Sequence, residues 1–143
     1  MRIRRSACTI GAHEKRYYTM TQTLAIAAGG ALGAVLRYWT VLAVHNRLGT
    51  NFPYGTLAVN VLGSLLMGFL YIWLLERFVA SPAMRGFLLV GILGAFTTFS
   101  TFSIETLNLI EAGHTGRALA NVLLSVSVCV VAAGVGVYTA RQL

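Results

Sequence analysis

The sequence predicts an all-α integral membrane protein with four transmembrane helices, the third of them broken mid-membrane. Hydrophobic residues make up 57% of the 143 residues and charged residues only 10%, whereas soluble domains carry about 25% charged residues. Four apolar segments, at about residues 24–44, 55–75, 86–110 and 117–138, are each long enough to cross a hydrocarbon core as a helix. Residues 20–143 are therefore expected to form one membrane domain.

Residues 1–19 precede the first apolar segment and hold five of the eleven basic residues. The segment lacks the apolar core of a signal peptide. We expect a disordered tail or a translation start set too far upstream, with Met20 as the natural first residue.

The first span contains small residues and one charge. Gly29, Gly30 and Gly33 would let a neighbouring helix approach closely within lipid. Arg37 lies roughly two turns before the end of the span. Two interpretations stay open for it: a side chain that snorkels to the headgroups, or a role at the mouth of a pore.

The second span carries a polar stripe. Thr56, Asn60, Gly63, Met67 and Tyr71 recur at steps of three and four residues, which places them on one helical face. An amide within lipid needs hydrogen-bond partners. Asn60 therefore indicates either an interhelical hydrogen bond or a binding site.

The third span contains the segment GAFTTFSTFS at residues 94–103. Threonine and serine compete for backbone hydrogen bonds, so a continuous helix is weakly supported here. Irregular backbone at membrane depth survives only when it is buried in protein or lines a wet cavity. The segment predicts a site, although a continuous, Ser/Thr-rich packed helix is the alternative. Glu105 follows it, and intramembrane carboxylates usually face a cavity or a partner.

The fourth span and the charge balance complete the pattern. Asn121, Ser125 and Cys129 follow one another at steps of four residues. Counted from Met20, the two sides of the membrane carry three arginines each, namely Arg77, Arg85 and Arg141 against Arg37, Arg47 and Arg117. Because Lys/Arg bias sets orientation, such a chain should insert both ways up and can assemble as antiparallel pairs.

Several function classes are disfavoured. Cys8 and Cys129 form no disulfide framework, and the three histidines are scattered without the spacing of a zinc site. No nucleophile–base pair appears, so an enzyme is not expected. The basic residues form no face that could follow a nucleic-acid backbone, despite the net charge of +7.

Three segments of the chain together resemble the CrcB/Fluc family of fluoride channels. They are GTLAVNVLGS, which contains Asn60, the later segment GILGAFTTFSTFSIE, and GGALGAVLRY in the first span. The resemblance covers residues 23–143. It implies an antiparallel homodimer with two anion pores and a structural Na⁺ on the twofold axis. It also implies passive fluoride efflux across the cytoplasmic (inner) membrane of a prokaryote, with fluoride and membrane lipid as the partners.

Matching positions in this sequence receive the family's roles. Asn60, Phe99 and Phe102 match pore-lining positions, and the backbone carbonyls of Gly94 and Thr97 match the Na⁺ ligands. The resemblance implies that Thr98, Ser100, Thr101, Ser103 and Ser125 supply the remaining pore hydroxyls. Further candidates for a pore mouth or a polar track are Arg37, Thr56, Glu105 and Asn121. Some relatives have tyrosine and a second serine on the fourth span where this chain has Asn121 and Cys129.

The chemistry of these residues is compatible with an anion path. Amide and hydroxyl groups can replace the water around a small anion without trapping it by a full charge. The positive edges of phenylalanine rings can face an anion. Two rival interpretations are a small dual-topology multidrug exporter, which normally has a glutamate in its first span where this chain has only Arg37, and a non-transporting assembly subunit.

Overall fold

The computed structural model describes the backbone of residues 4–78 and 80–143, and the side chains from Thr19 onward except those of Arg77 and Val79. The elements are α1 (Arg4–Leu48), α2 (Tyr54–Ile72) with a π-helical continuation (Trp73–Arg77), α3 (Pro82–Arg85), a π-helical segment (Gly86–Leu93), α4 (Gly94–Phe96), α5 (Phe99–Glu111) and α6 (Thr115–Gln142). The described residues form no strand. The side chains of residues 1–18 lie outside the described part, so the prediction of a disordered tail over residues 1–19 stays a prediction.

Four helical stretches are long and apolar enough to cross a membrane: Thr19–Leu48, Tyr54–Glu76, Pro82–Glu111 and Thr115–Gln142. They confirm the four predicted spans and extend each by a few residues. The extensions arise because polar residues at the ends of an apolar segment can continue the helix. The protein is therefore a multi-pass helical membrane protein.

The connections between spans have the expected end signals. Gly49 has a φ of 77°, and its N–H donates to the carbonyl of His45 at 2.9 Å. Gly113 has a φ of 76° after α5. Positive φ is easily adopted by glycine, so both positions end a helix and let the chain reverse. Before α3, the Ser81 hydroxyl accepts a hydrogen bond from the Met84 N–H at 3.2 Å, which caps the start of the third span.

Glycines bring the backbones of two helix pairs into contact. A Cβ added at any of four glycines would collide with a carbonyl of the facing helix, in the pairs Gly29 with Phe87, Gly33 with Ile92, Gly68 with Ala133, and Gly136 with Leu65. The first two pairs join α1 to the π-helical segment, and the last two join α2 to α6. Van der Waals packing of small residues stabilises helix pairs in lipid, and here it positions the elements around the third span.

Most hydroxyls on the outer faces bond back to their own helix. The pairs are Thr23 Oγ1 to Thr19 O (2.8 Å), Thr40 Oγ1 to Leu36 O (2.8 Å), Ser103 Oγ to Phe99 O (2.9 Å), Ser127 Oγ to Leu123 O (2.6 Å) and Thr139 Oγ1 to Val135 O (2.9 Å). Such i−4 bonds satisfy a hydroxyl without any partner helix. Hydroxyls with other partners therefore mark where polar contacts between elements are made.

The third span is interrupted. α4 ends at Phe96, Thr97 has an extended backbone (φ −83°, ψ 158°), and Thr98 is extended as well (φ −153°, ψ 116°) before α5 begins at Phe99. The depth of this interruption within a bilayer stays a prediction.

Candidate functional site

Asn60 of α2 holds the interruption of the third span. Its Nδ2 donates to the carbonyl of Thr98 at 3.0 Å, and its Oδ1 accepts from the Thr98 N–H at 2.8 Å. The Asn60 Oδ1 thus replaces the Gly94 carbonyl as the acceptor for the Thr98 N–H, and the Asn60 Nδ2 adds a second donor to the Thr98 carbonyl, which also begins the hydrogen-bond ladder of α5. Because a buried backbone group without a partner is costly, the break depends on this two-bond contact, which we call the Asn60 clamp.

Hydroxyl groups cap the N-terminal end of α5. The Thr98 Oγ1 accepts from the Thr101 N–H at 3.1 Å and donates to the Thr101 Oγ1 at 2.9 Å, and it lies 3.3 Å from the Ser100 Oγ. Thr98 is therefore the N-cap of α5. Asn60 of α2 bonds to the Thr98 backbone, while the Thr98 side chain caps the first turn of α5.

A groove runs along one side of the interruption, between α2, the start of α5 and α6. Its volume is about 480 Å³, and its lining includes Asn60, Phe99, Phe102 and Ser125, all predicted pore residues, together with Cys129. The described residues that line it carry no ionisable group other than this thiol. The structure thus gathers polar, uncharged donors and two aromatic rings at one place.

Phe99 and Phe102 differ sharply in exposure although they lie on one face of α5. Their ring centroids are 5.3 Å apart, with the planes tilted by 43°. Phe102 is only 9% exposed, whereas Phe99 is 78% exposed. One ring is packed inside the protomer, and the other projects from its surface beside the groove.

The backbone at the interruption offers free carbonyl groups. In a continuous helix the Gly94 carbonyl would accept from the Thr98 N–H, but that N–H donates to Asn60 instead. The Thr97 carbonyl points out of a residue with an extended backbone. Among the described residues, no three His, Cys, Asp or Glu side chains come together to hold a metal. Carbonyl oxygens suit a hard alkali cation, so the donor set present fits the predicted Na⁺.

Polar groups of α5 and α6 form a chain of hydrogen bonds. The Asn121 Nδ2 donates to the Thr106 Oγ1 at 2.8 Å, and the Ser125 Oγ donates to the Asn121 Oδ1 at 3.4 Å. Thr106 donates in turn to the Phe102 carbonyl at 2.7 Å. Asn121 is 1% exposed, so it supports the Ser125 side of the groove from behind. Sequence reasoning missed Thr106, whose only signal is its position one turn after Phe102.

A second cavity, which we call the inner cavity, lies on the other side of Thr98. Its volume is about 270 Å³, and Arg37, Thr56, Thr98 and Thr101 contribute to its lining. Thr56 is 2% exposed, and its hydroxyl has no hydrogen bond within 3.5 Å to any described residue, although it lies near the Glu105 carboxyl group. Arg37 makes no ion pair within the described part of the chain. The lining of the inner cavity thus combines one positive charge with three threonine side chains.

Some predicted residues lie apart from the groove. Ser100, Thr101 and Ser103 do not contribute to its lining, because Ser100 and Thr101 contact Thr98 and Ser103 bonds to Phe99. Tyr71, placed on the polar face of α2 by periodicity, is 52% exposed. Tyr71 lies at the end of the polar stripe of α2, beyond the residues of that stripe that line the groove.

Glu105 lies in a third cavity. The cavity has a volume of about 300 Å³, and it is lined by His45, Glu105, Asn108, Leu109 and residues 50–53. The Glu105 Oε2 atom is buried and has no hydrogen bond within 3.5 Å to the described residues. Sequence reasoning missed His45 as a residue that lines a cavity, because the spacing of the histidines indicates only that they form no zinc site.

The fold and these cavities define a class: a four-span helical membrane protein whose uncharged donors gather at an interrupted helix. Residues 24–137 match the model of the family described as CrcB-like protein, Camphor Resistance (CrcB). The chain belongs to this family, which confirms the resemblance read from its motifs.

Curated relatives agree with the family match, and each is named fluoride-specific ion channel FluC. The relative from Magnetococcus marinus is 52% identical over 81% of this chain and 94% of its own length, and one from Coxiella burnetii is 51% identical over 84% and 98%. The relative from Methylococcus capsulatus is 52% identical over 83% of this chain, but the match spans only 52% of that protein.

Proposed function

We propose that the protein is a fluoride-specific ion channel that gives passive efflux of fluoride across the inner membrane of a prokaryote and so reduces fluoride toxicity. Membership of the family and the names of the relatives support this proposal. The observation that carries it is the groove in which Asn60, Phe99, Phe102 and Ser125 lie together beside the interrupted helix.

The groove offers the chemistry that a strongly hydrated small anion needs. The Asn60 amide uses one of its two N–H groups on the Thr98 carbonyl, which leaves the other for an anion. The Ser125 hydroxyl and the ring edges of the phenylalanine pair add weak donors. Conduction requires weak, repeated sites rather than one tight site, and uncharged donors meet this requirement.

An exposed aromatic ring and an open groove on the surface of the protomer favour a dimer. Phe99 is 78% exposed, and the groove beside it is open along the surface of α6. Counted from Met20, the arginines balance across the membrane, three against three, so neither orientation of residues 20–143 is favoured. In an antiparallel homodimer, each protomer would cover the other's groove and bury its Phe99, which would give two pores.

The same dimer would unite the free carbonyls. Gly94 and Thr97 of each protomer would hold a structural Na⁺ near the twofold axis, where the bound ion neutralises the negative ends of four carbonyl dipoles. Gly94 is exposed in the single protomer, as an axial position requires. This cation is a structural component and is not transported.

Release of fluoride from proteoliposomes tests the function. Vesicles loaded with potassium fluoride and opened to potassium flow by valinomycin should release fluoride rapidly when they contain the protein, and vesicles loaded with chloride should not release chloride. A proton-coupled multidrug exporter would release neither ion by this route. A non-transporting subunit would behave like empty vesicles, and that result would refute the proposal.

A further inference from the structure

The cavity lined by His45 and Glu105, which we call the outer chamber, lies against the inner cavity. Arg37, Val41 and His45 follow one another at steps of four residues on α1, and the first two line the inner cavity while His45 lines the outer chamber. On α5, Thr101 lines the inner cavity and Glu105, four residues later, lines the outer chamber. Residues four apart share a helix face, so the two cavities lie end to end between the same two helices.

Thr98 connects the two cavities to the groove, because it lines both the inner cavity and the groove. At the opposite end, the loop residues 50–53 line the outer chamber. The three spaces therefore form one series, which leads from the loop between the first two spans to the Asn60 clamp. The outer chamber is the end of that series nearest to water.

The imidazole of His45 faces the interior of this series. A Cβ added at Gly55 would lie 3.0 Å from the His45 Nε2, so the ring packs against the start of α2 and does not extend into lipid. His45 and Glu105 line the same chamber without forming an ion pair in the described part of the chain. The charge of the chamber is therefore set by the protonation of one imidazole beside one carboxyl group.

We propose that His45 sets the charge at the mouth of the ion path, so that fluoride flux rises when its imidazole is protonated. This inference rests on the proposed fluoride channel function. With a neutral imidazole, the only charge that the chamber can carry is that of Glu105, which repels anions. An imidazolium offsets that charge and favours anions in the chamber.

The groups around His45 leave it as the switchable charge. The charged groups on the elements that line or flank the outer chamber are Arg37 and Arg47 on α1, Glu105 and the exposed Glu111 on α5, and Arg117 on α6. The Arg117 guanidinium donates to the Asn51 carbonyl at 3.3 Å, and α2 has no charged side chain. Arginine keeps its charge at every pH of interest. Histidine is the side chain whose charge changes most readily between pH 5 and 8.

Fluoride efflux from proteoliposomes at symmetric pH 6 and pH 8 tests the proposal, with protein-free vesicles reporting the leak of hydrogen fluoride. One unit charge about 7 Å from the ion in water changes its local concentration about threefold, so we expect a two- to threefold higher flux at pH 6. Because pH is the same on both sides, the orientation of the protein does not affect the result.

Two variants and a matched control complete the design. His45→Gln should hold the flux at the pH 8 level at both pH values, and His45→Arg should hold it at the pH 6 level. His114→Gln, which changes the exposed histidine before α6, should retain the wild-type ratio. If His45→Gln does not assemble, His45→Arg still decides.

Three results would overturn the inference. They are a wild-type flux that does not vary with pH, a His45 variant that keeps the ratio, or a His114 variant that loses it. Wild-type vesicles that release no fluoride at either pH would overturn the proposed function as well, whereas pH-independent fluoride release would overturn only the role of His45.

Discussion

Replacement of Asn60 by leucine tests the clamp on the interrupted helix. Leucine keeps the branched shape of the asparagine side chain with a somewhat larger volume, but it removes the bonds of 3.0 and 2.8 Å to the Thr98 carbonyl and N–H. Thr98 is 7% exposed, so its N–H would lose its partner in a buried place, while its carbonyl would lose one hydrogen bond and keep the one that begins α5. The unpaired N–H costs about 1–3 kcal/mol and the lost bond to the carbonyl about 1 kcal/mol, so we expect Asn60→Leu to lower the free energy of unfolding by about 2–4 kcal/mol.

The measurement is a titration with sodium dodecyl sulfate in mixed micelles, followed by near-ultraviolet circular dichroism. Asn46→Leu is the control, because that amide is exposed at the end of α1 and should change stability little. Asn60→Asp keeps an acceptor for the Thr98 N–H but loses the donor and adds negative charge, so it should assemble yet conduct poorly. Wild-type stability of Asn60→Leu would show that the clamp does not hold the break.

Three further predictions concern the aromatic pair, the cation and the tail. Phe99→Leu and Phe102→Leu should each cut fluoride flux sharply, while size-exclusion chromatography still shows the dimer. Wild-type flux in both variants would show that the two rings only contribute to packing. Replacing Na⁺ by a large organic cation should reduce flux and dimer stability, and Thr97→Pro, which removes the N–H bonded to the Leu93 carbonyl at 3.1 Å, should be more damaging than Thr97→Ala. A protein that begins at Met20 should be fully functional and insert in both orientations, and topology reporters showing a single orientation would contradict this.

The number of spans could be predicted from the sequence because it depends on composition alone. Four runs of apolar residues separated by glycine, proline and charge leave few alternatives for a chain in lipid. The weak helical preference of TTFSTFS indicated the interruption for a similar local reason. Both predictions need only the energetics of neighbouring residues.

Contacts between distant residues could not be predicted in this way. The Asn60 clamp joins residues 38 positions apart, and no local rule selects Thr98 over the other polar residues. Phe99 and Phe102 are three residues apart, a spacing that places both on one helical face but does not predict their opposite exposure. Exposure depends on how α2 and α6 pack over the second ring. The same holds for Thr106, whose role appears only when α6 brings Asn121 beside it.

The outward hydroxyls that bond back to their own helices have a consequence for protein engineering. Thr23, Thr40, Ser127 and Thr139 present an already paired group to lipid, so valine or alanine could stand in each place with little loss. A simplified chain with all four replaced would keep polar side chains mainly where two elements meet. In such a chain, a larger share of the isotope labels on serine and threonine would report on the groove and the two cavities.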